Sequence, residues 1–179
     1  MQKEELKKWF WKVALSRCFA SFNIAQITID LQQIRKFTLG EIEVNKFIDY
    51  DKFVRENFRL NKASSKTFAL FLEERRPLSL LDGLRINTDK SLAVVNRHKY
   101  HYIFPKDFLK SSVINNIDPH SNICLLSMGN NRTISNSRPS IYINELENIL
   151  GDKLEEVLKS NYMDNEAYTA ALDEDYESF

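Results

Sequence analysis

His98-Lys-Tyr-His-Tyr-Ile-Phe-Pro105-Lys106, then Asn122-Ile-Cys-Leu-Leu-Ser127, then Met128-Gly-Asn-Asn-Arg-Thr-Ile-Ser-Asn136 are the three blocks that decide the fold. The first leads into a short helix near Pro105, where the missing N–H of proline costs nothing. The second is a short apolar run with the length and texture of a buried strand. The third is polar and accommodates a helix start. Together they place a short helix, a buried strand and a possible helix start close together in sequence, with histidine and asparagine concentrated among them.

Outward from these blocks the chain is mainly helical. Glu4 to Phe22 carries Leu6, Trp9, Phe10, Val13, Leu15, Cys18, Phe19 and Phe22 near helical spacing, with Glu4 and Glu5 ahead of Lys7, Lys8 and Lys12. That broad aromatic stripe reads as core, or as a face that docks a neighbouring domain. Ile27, Leu31, Ile34 and Phe37 give a second helix over Ile24 to Phe37. A brief alternation over 41–45 permits a strand after Gly40. Tyr50 to Phe58 and Ser64 to Arg75 read as two further helices, the latter capped by Ser64 or Ser65 and stopped by Pro77. Arg75 and Arg76 read as a solvated helix end.

From Pro77 the texture changes. Leu78 to Leu81 and Leu92 to Val95 are short apolar runs around the Asp82-Gly83 turn and a polar stretch, and read as strands or extended segments. Pro139 to Leu150 is an amphipathic helix ended by Gly151, followed by helical segments over Asp152 to Ser160 and Glu166 to Leu172. The expected organisation is a helical scaffold over 1–76, a strand-and-helix region over 77–150 and a helical extension over 151–179. The fold class is α+β, mainly helical.

Composition bounds the function. Four glycines and four prolines against twelve phenylalanines favour helices with short connections over a strand-rich sandwich. Lysine plus arginine number 25, as do aspartate plus glutamate, so there is no overall cationic field. A nucleic-acid partner would have to be met by a local patch or by another domain. Cys18 and Cys124 are too few for a disulfide framework or a cysteine zinc site and read as buried thiols. Charge at Lys7, Lys8 and Lys12 breaks up any signal peptide, and no apolar run approaches the roughly 20 residues that span a bilayer. A soluble, cytoplasmic protein without a membrane partner is expected.

All three histidines, His98, His101 and His120, lie between positions 98 and 120, beside Asn115, Asn116, Asn122, Asn130, Asn131 and Asn136. Imidazole nitrogen and amide oxygen suit a divalent cation that must also hold water and a phosphate oxygen. The same asparagines also suit ordinary turns. The order of the blocks is more specific. His101-Tyr-Ile-Phe-Pro-Lys106, Asn122 with its apolar strand, and Asn131-Arg-Thr-Ile-Ser135 together resemble the HNH nuclease motif. More narrowly, they look like the C-terminal HNH-like part of GmrSD-type restriction proteins. Arg138-Pro-Ser-Ile-Tyr142 is similar to the Pro-Ser-x-Tyr that follows there, and Lys7 to Trp11 and Asp175 to Phe179 are similar to its flanking helices.

The resemblance implies a ββα-metal motif embedded in a helical scaffold, gripping one magnesium or manganese ion and acting on DNA. By position it places His101 and Asn131 as metal ligands. Asn122 falls where the family residue orients the base or the scissile phosphate, and Tyr102 stands where the family has its general-base histidine. Lys106 and Arg132 flank the site and suit phosphate contacts, although each alone also reads as a plain surface charge. The family's N-terminal nucleotide-binding domain has no counterpart here, so the resemblance implies a missing domain or partner subunit.

Tyr102 is the departure that matters. Histidine titrates at about 6.5 and can take a proton near neutrality, whereas tyrosine at about 10 is almost wholly protonated there. Three accounts stand. The chain is a degenerate member kept for binding; or an inactivated form, since one base separates His and Tyr codons; or His98 or His120 supplies the base from elsewhere. His120 reads more simply as a solvated loop histidine. A catalytically degenerate nucleic-acid-binding or regulatory module with the same fold is the competing function, and a helical interaction domain the third.

Overall fold

The structure is a computed structural model that describes residues 2–17, 24–37, 47–87, 100–112, 114, 116–126 and 137–179. Expectations for 18–22, 41–45, 92–95 and 128–136 lie outside the described residues, and so do His98, Asn131 and Arg132.

Helix α1 spans Gln2–Leu15 and α2 spans Ile24–Phe37. The first ends earlier than its apolar stripe suggests, because Arg17 turns into left-handed backbone at φ 62°. Val13 is fully buried, whereas Leu6 and Phe10 remain 43% and 37% exposed, so among the described residues only one edge of the stripe is core. Helix α3 covers Tyr50–Arg55, with the Asp49 carboxylate accepting from the Lys52 N–H as its N-cap. Helix α4 covers Ala63–Glu74. Its N-cap is Lys62 rather than either serine: Ser65 lies inside the helix, and its hydroxyl accepts from the Arg59 N–H at 2.8 Å. Trp11 meets Phe71 edge to face at 5.8 Å and Lys7 pairs with Glu74, tying α1 to α4.

Strand β1, Tyr100–Tyr102, pairs antiparallel with strand β2, Ile123–Leu125, in the register Tyr100 with Leu125, His101 with Cys124 and Tyr102 with Ile123. Between them run helix α5, Lys106–Ser111, and a 3₁₀ turn over His120–Asn122. Pro105 stands at the α5 N-cap, as its fixed φ suits. Downstream, α6 spans Pro139–Leu150 with proline at its start, and α7 Leu154–Ser160 and α8 Asn165–Leu172 follow. Gly151 ends α6 at φ 50°, a conformation that costs glycine little. Leu78 makes only an isolated bridge to Arg85 around the Gly83 turn, so of the two readings of 78–81, strand or extended segment, the strand does not form.

The two-stranded ribbon divides two cores. Alternate side chains of a strand leave opposite faces. Tyr100, Tyr102, Ile123 and Leu125 accordingly pack with Phe53, Phe68 and Leu72 from α3 and α4. Cys124 and the residues just past the paired segments, Ile103, Phe104 and Leu126, pack instead with Tyr142, Ile143 and Leu146 of α6. Because both faces are covered, β2 reads as an unbroken apolar run rather than an alternation. Tyr142 is buried whole, and its hydroxyl donates to the Ile103 carbonyl at 2.5 Å, seating α6 beside the ribbon. Tyr176 and Phe179 close on Phe104 with ring centroids 5.1 Å and 5.0 Å away.

Candidate functional site

The site begins at the end of β1. His101 and Tyr102 are consecutive, so their side chains leave opposite faces of the ribbon. Tyr102 lies on the α3–α4 side, while His101 shares the face of its partner Cys124. A single centre using both residues must therefore sit at the end of the ribbon, where the ladder stops at Tyr102.

Beyond Tyr102 the backbone is held by a side chain. Asn122 is fully buried, one residue ahead of β2. Its Oδ1 accepts from the Phe104 N–H at 2.7 Å. Its Nδ2 donates to the carbonyls of Phe104, at 3.1 Å, and Ile117, at 3.2 Å. The Ile103 N–H donates to the Asn122 carbonyl at 3.0 Å. Asn122 thus continues the ladder with its amide, satisfying both backbone polar groups of Phe104 where regular pairing has ended. That fixes the path from His101 into α5.

Tyr102, Lys106 and Asp118 form a compact polar cluster on the outer side of this path. The Lys106 ammonium lies 4.5 Å from the Tyr102 ring centroid and 2.6 Å from Asp118 Oδ1. Burial pushes the Tyr102 hydroxyl above its usual range, and this outweighs the opposite pull of Lys106. That is the wrong direction for a base. Burial also opposes the Lys106 charge, but Asp118 and Tyr102 together raise its pKa and keep it an ammonium. Asp118 is invisible to a motif search. It reaches this place because its carbonyl accepts from the Phe58 N–H at 2.6 Å and the His120 N–H donates to the Glu56 carbonyl at 2.9 Å.

His120 is not the solvated histidine expected. It is 0% exposed, stacked on Phe68 at 4.9 Å and flanked by Phe53 and Phe58. Nδ1 lies 2.8 Å from the Phe53 carbonyl, which can only accept, so Nδ1 carries the proton. Nε2 then accepts from the Ser65 hydroxyl at 3.1 Å. The residue is a rivet between α3, α4 and the turn before Asn122, and it is closed off from the proposed base position. Burial drives its pKa below the ordinary 6.5, outweighing the Phe53 carbonyl and Glu56, which pull upward; Lys62 and Arg17 add to the lowering.

With the folded value depressed, the unfolded chain binds the proton more readily, so this contribution is complete above about 6.5 and is lost as pH falls through the lower folded value. The thermal midpoint is expected to fall between about pH 7.5 and about pH 5.5, and to fall less steeply in His120→Gln, which starts lower. Parallel pH profiles for the two proteins would reject the assignment.

Among the described residues no three histidine, cysteine, aspartate or glutamate side chains gather as a metal cluster. None of their helices is long and apolar enough to cross a membrane. No protein-family model, curated protein or solved structure matches the chain.

Proposed function

We propose that this chain is a divalent-metal-dependent endonuclease module of the HNH type, hydrolysing phosphodiester bonds of DNA as restriction and phage-defence nucleases do, and impaired in this form by Tyr102. The supporting observation is the pairing of the His101 block with the Asn122 block, about twenty residues apart in sequence, as the two strands of one antiparallel ribbon in which His101 faces Cys124. Those blocks carry the first two parts of the motif.

In this reading the cation is magnesium or manganese, held by the His101 imidazole and the Asn131 amide. Two neutral protein donors leave most of its shell to water and phosphate oxygens, which suits a hydrolytic centre. When bound it polarises the scissile phosphate and steadies the leaving oxygen. Asn122 holds the His101 segment in place, and Lys106 and Arg132 meet the flanking phosphates. The DNA-directing partner is a nucleotide-binding domain or subunit outside this chain.

The second reading, a degenerate nucleic-acid-binding or regulatory module that does not cut, is favoured by one specific fact: burial raises the pKa of the Tyr102 hydroxyl and keeps it protonated. Relaxation of supercoiled plasmid with magnesium or manganese separates the two, comparing this chain with Tyr102→His and with Tyr102→His/Asn131→Ala. Cutting by Tyr102→His alone supports the nuclease. Metal-dependent DNA binding without cutting by any of them supports the degenerate module.

A further inference from the structure

The geometry points to Asp118 as an internal stand-in for a substrate phosphate, a carboxylate that occupies the anion-binding side of the Lys106 ammonium and must be displaced before nucleic acid can use it. The inference rests on the nucleic-acid reading above and adds to it a regulated phosphate subsite.

Four observations carry it. Asp118 Oδ1 is closed to solvent although the side chain as a whole is 33% exposed, and the Lys106 ammonium lies against it at 2.6 Å. The Lys106 ammonium is itself seated over the face of the Tyr102 ring, 4.5 Å from its centroid, so the charge that meets the carboxylate is held in one place. Lys106 is also 38% exposed, so an incoming anion reaches it without opening the core. The Asp118 backbone is fixed separately, through its carbonyl to the Phe58 N–H, so its side chain can leave Lys106 without unpicking the segment.

The consequence is specific. A lysine already paired contributes little to DNA binding, because gaining a phosphate costs it a carboxylate. Neutralising Asp118 should release one phosphate-binding charge, and the salt dependence of binding counts such charges.

The test measures binding of a fluorescent DNA duplex by the full 179-residue chain in EDTA, across a salt series. Asp118→Asn is expected to bind about three- to tenfold more tightly at about 50 mM salt, with the slope of log affinity against log salt steeper by about 0.9. Adding Lys106→Gln to Asp118→Asn should return both quantities to the parent's values. Asp118→Ser, which removes the carboxylate without an amide, should repeat the gain, and thermal unfolding of each variant establishes that it is folded. Parent-like affinity and slope in both folded Asp118 variants would overturn the stand-in while leaving DNA binding intact. So would a gain that survives Lys106→Gln. Absence of DNA binding by every variant at low salt would remove the nucleic-acid reading and this inference together.

Discussion

Tyr102→His is expected to raise metal-dependent plasmid cleavage by about 10²- to 10⁴-fold, the usual worth of a positioned general base. A phenol at this place fails for two additive reasons. Its ordinary pKa already lies far above neutrality, and burial at the end of β1 raises it further. An imidazole starts near 6.5, so at neutral pH much of it is neutral and able to accept a proton without any shift. The position is only half-buried, so a smaller ring loses packing and a cation–π contact worth roughly 0.5–1 kcal/mol without opening a closed core. The same gain should vanish when Asn131→Ala is added, since the base has no use without the cation. A folded Tyr102→His protein that binds DNA and metal yet cuts no faster than the parent would reject the nuclease assignment.

The parts of the fold that were legible in the sequence are those whose signal is local. Helix α6 was bounded correctly because Pro139 opens it, Gly151 closes it and an apolar face recurs between them. Helix α2 was legible for the same periodicity. The pairing of the ribbon was legible only through the order of its blocks, since a three-residue strand is too short to display a period.

What sequence could not show depends on contacts across long separations. Ser65 looked like a helix cap because serine commonly is one, but a buried histidine from 55 residues away competes for its hydroxyl. His120 looked solvated because its neighbours are polar, yet the aromatic cage around it comes from Phe53, Phe58 and Phe68. Asp118 carried no signal at all. Its place beside Lys106 follows from the pairing of 56–58 with 118–120, which no propensity or spacing encodes. The acidic end of the chain had one missed sign: Tyr176 and Phe179, three apart, place two rings on Phe104.

The same distinction decides what Asn122 does. Asn122→Ala is expected to lower the unfolding free energy by about 2–4 kcal/mol, because it strips partners from buried backbone groups at roughly 1–3 kcal/mol each. The two groups on Phe104, a residue with 0% exposure, carry most of that cost, while the Ile117 carbonyl is nearer to solvent. At this chain length the loss corresponds to a fall in the thermal midpoint of roughly 4–16 °C. Asn122→Asp is the sharper variant. A carboxylate keeps an acceptor for the Phe104 N–H but turns an oxygen toward the Phe104 and Ile117 carbonyls, and it buries a charge that no described cation is placed to meet. If Asn122 served chiefly to orient a base or a phosphate, both variants would lose activity and keep their stability. If it is the clamp that turns the chain from the ribbon into α5, both lose stability first, and Asn122→Asp regains part of it as pH falls and the carboxyl takes up a proton it can donate to a carbonyl. Denaturant unfolding at about pH 7.5 and about pH 5 separates the two roles; stability within about 0.5 kcal/mol of the parent in both variants would exclude the clamp.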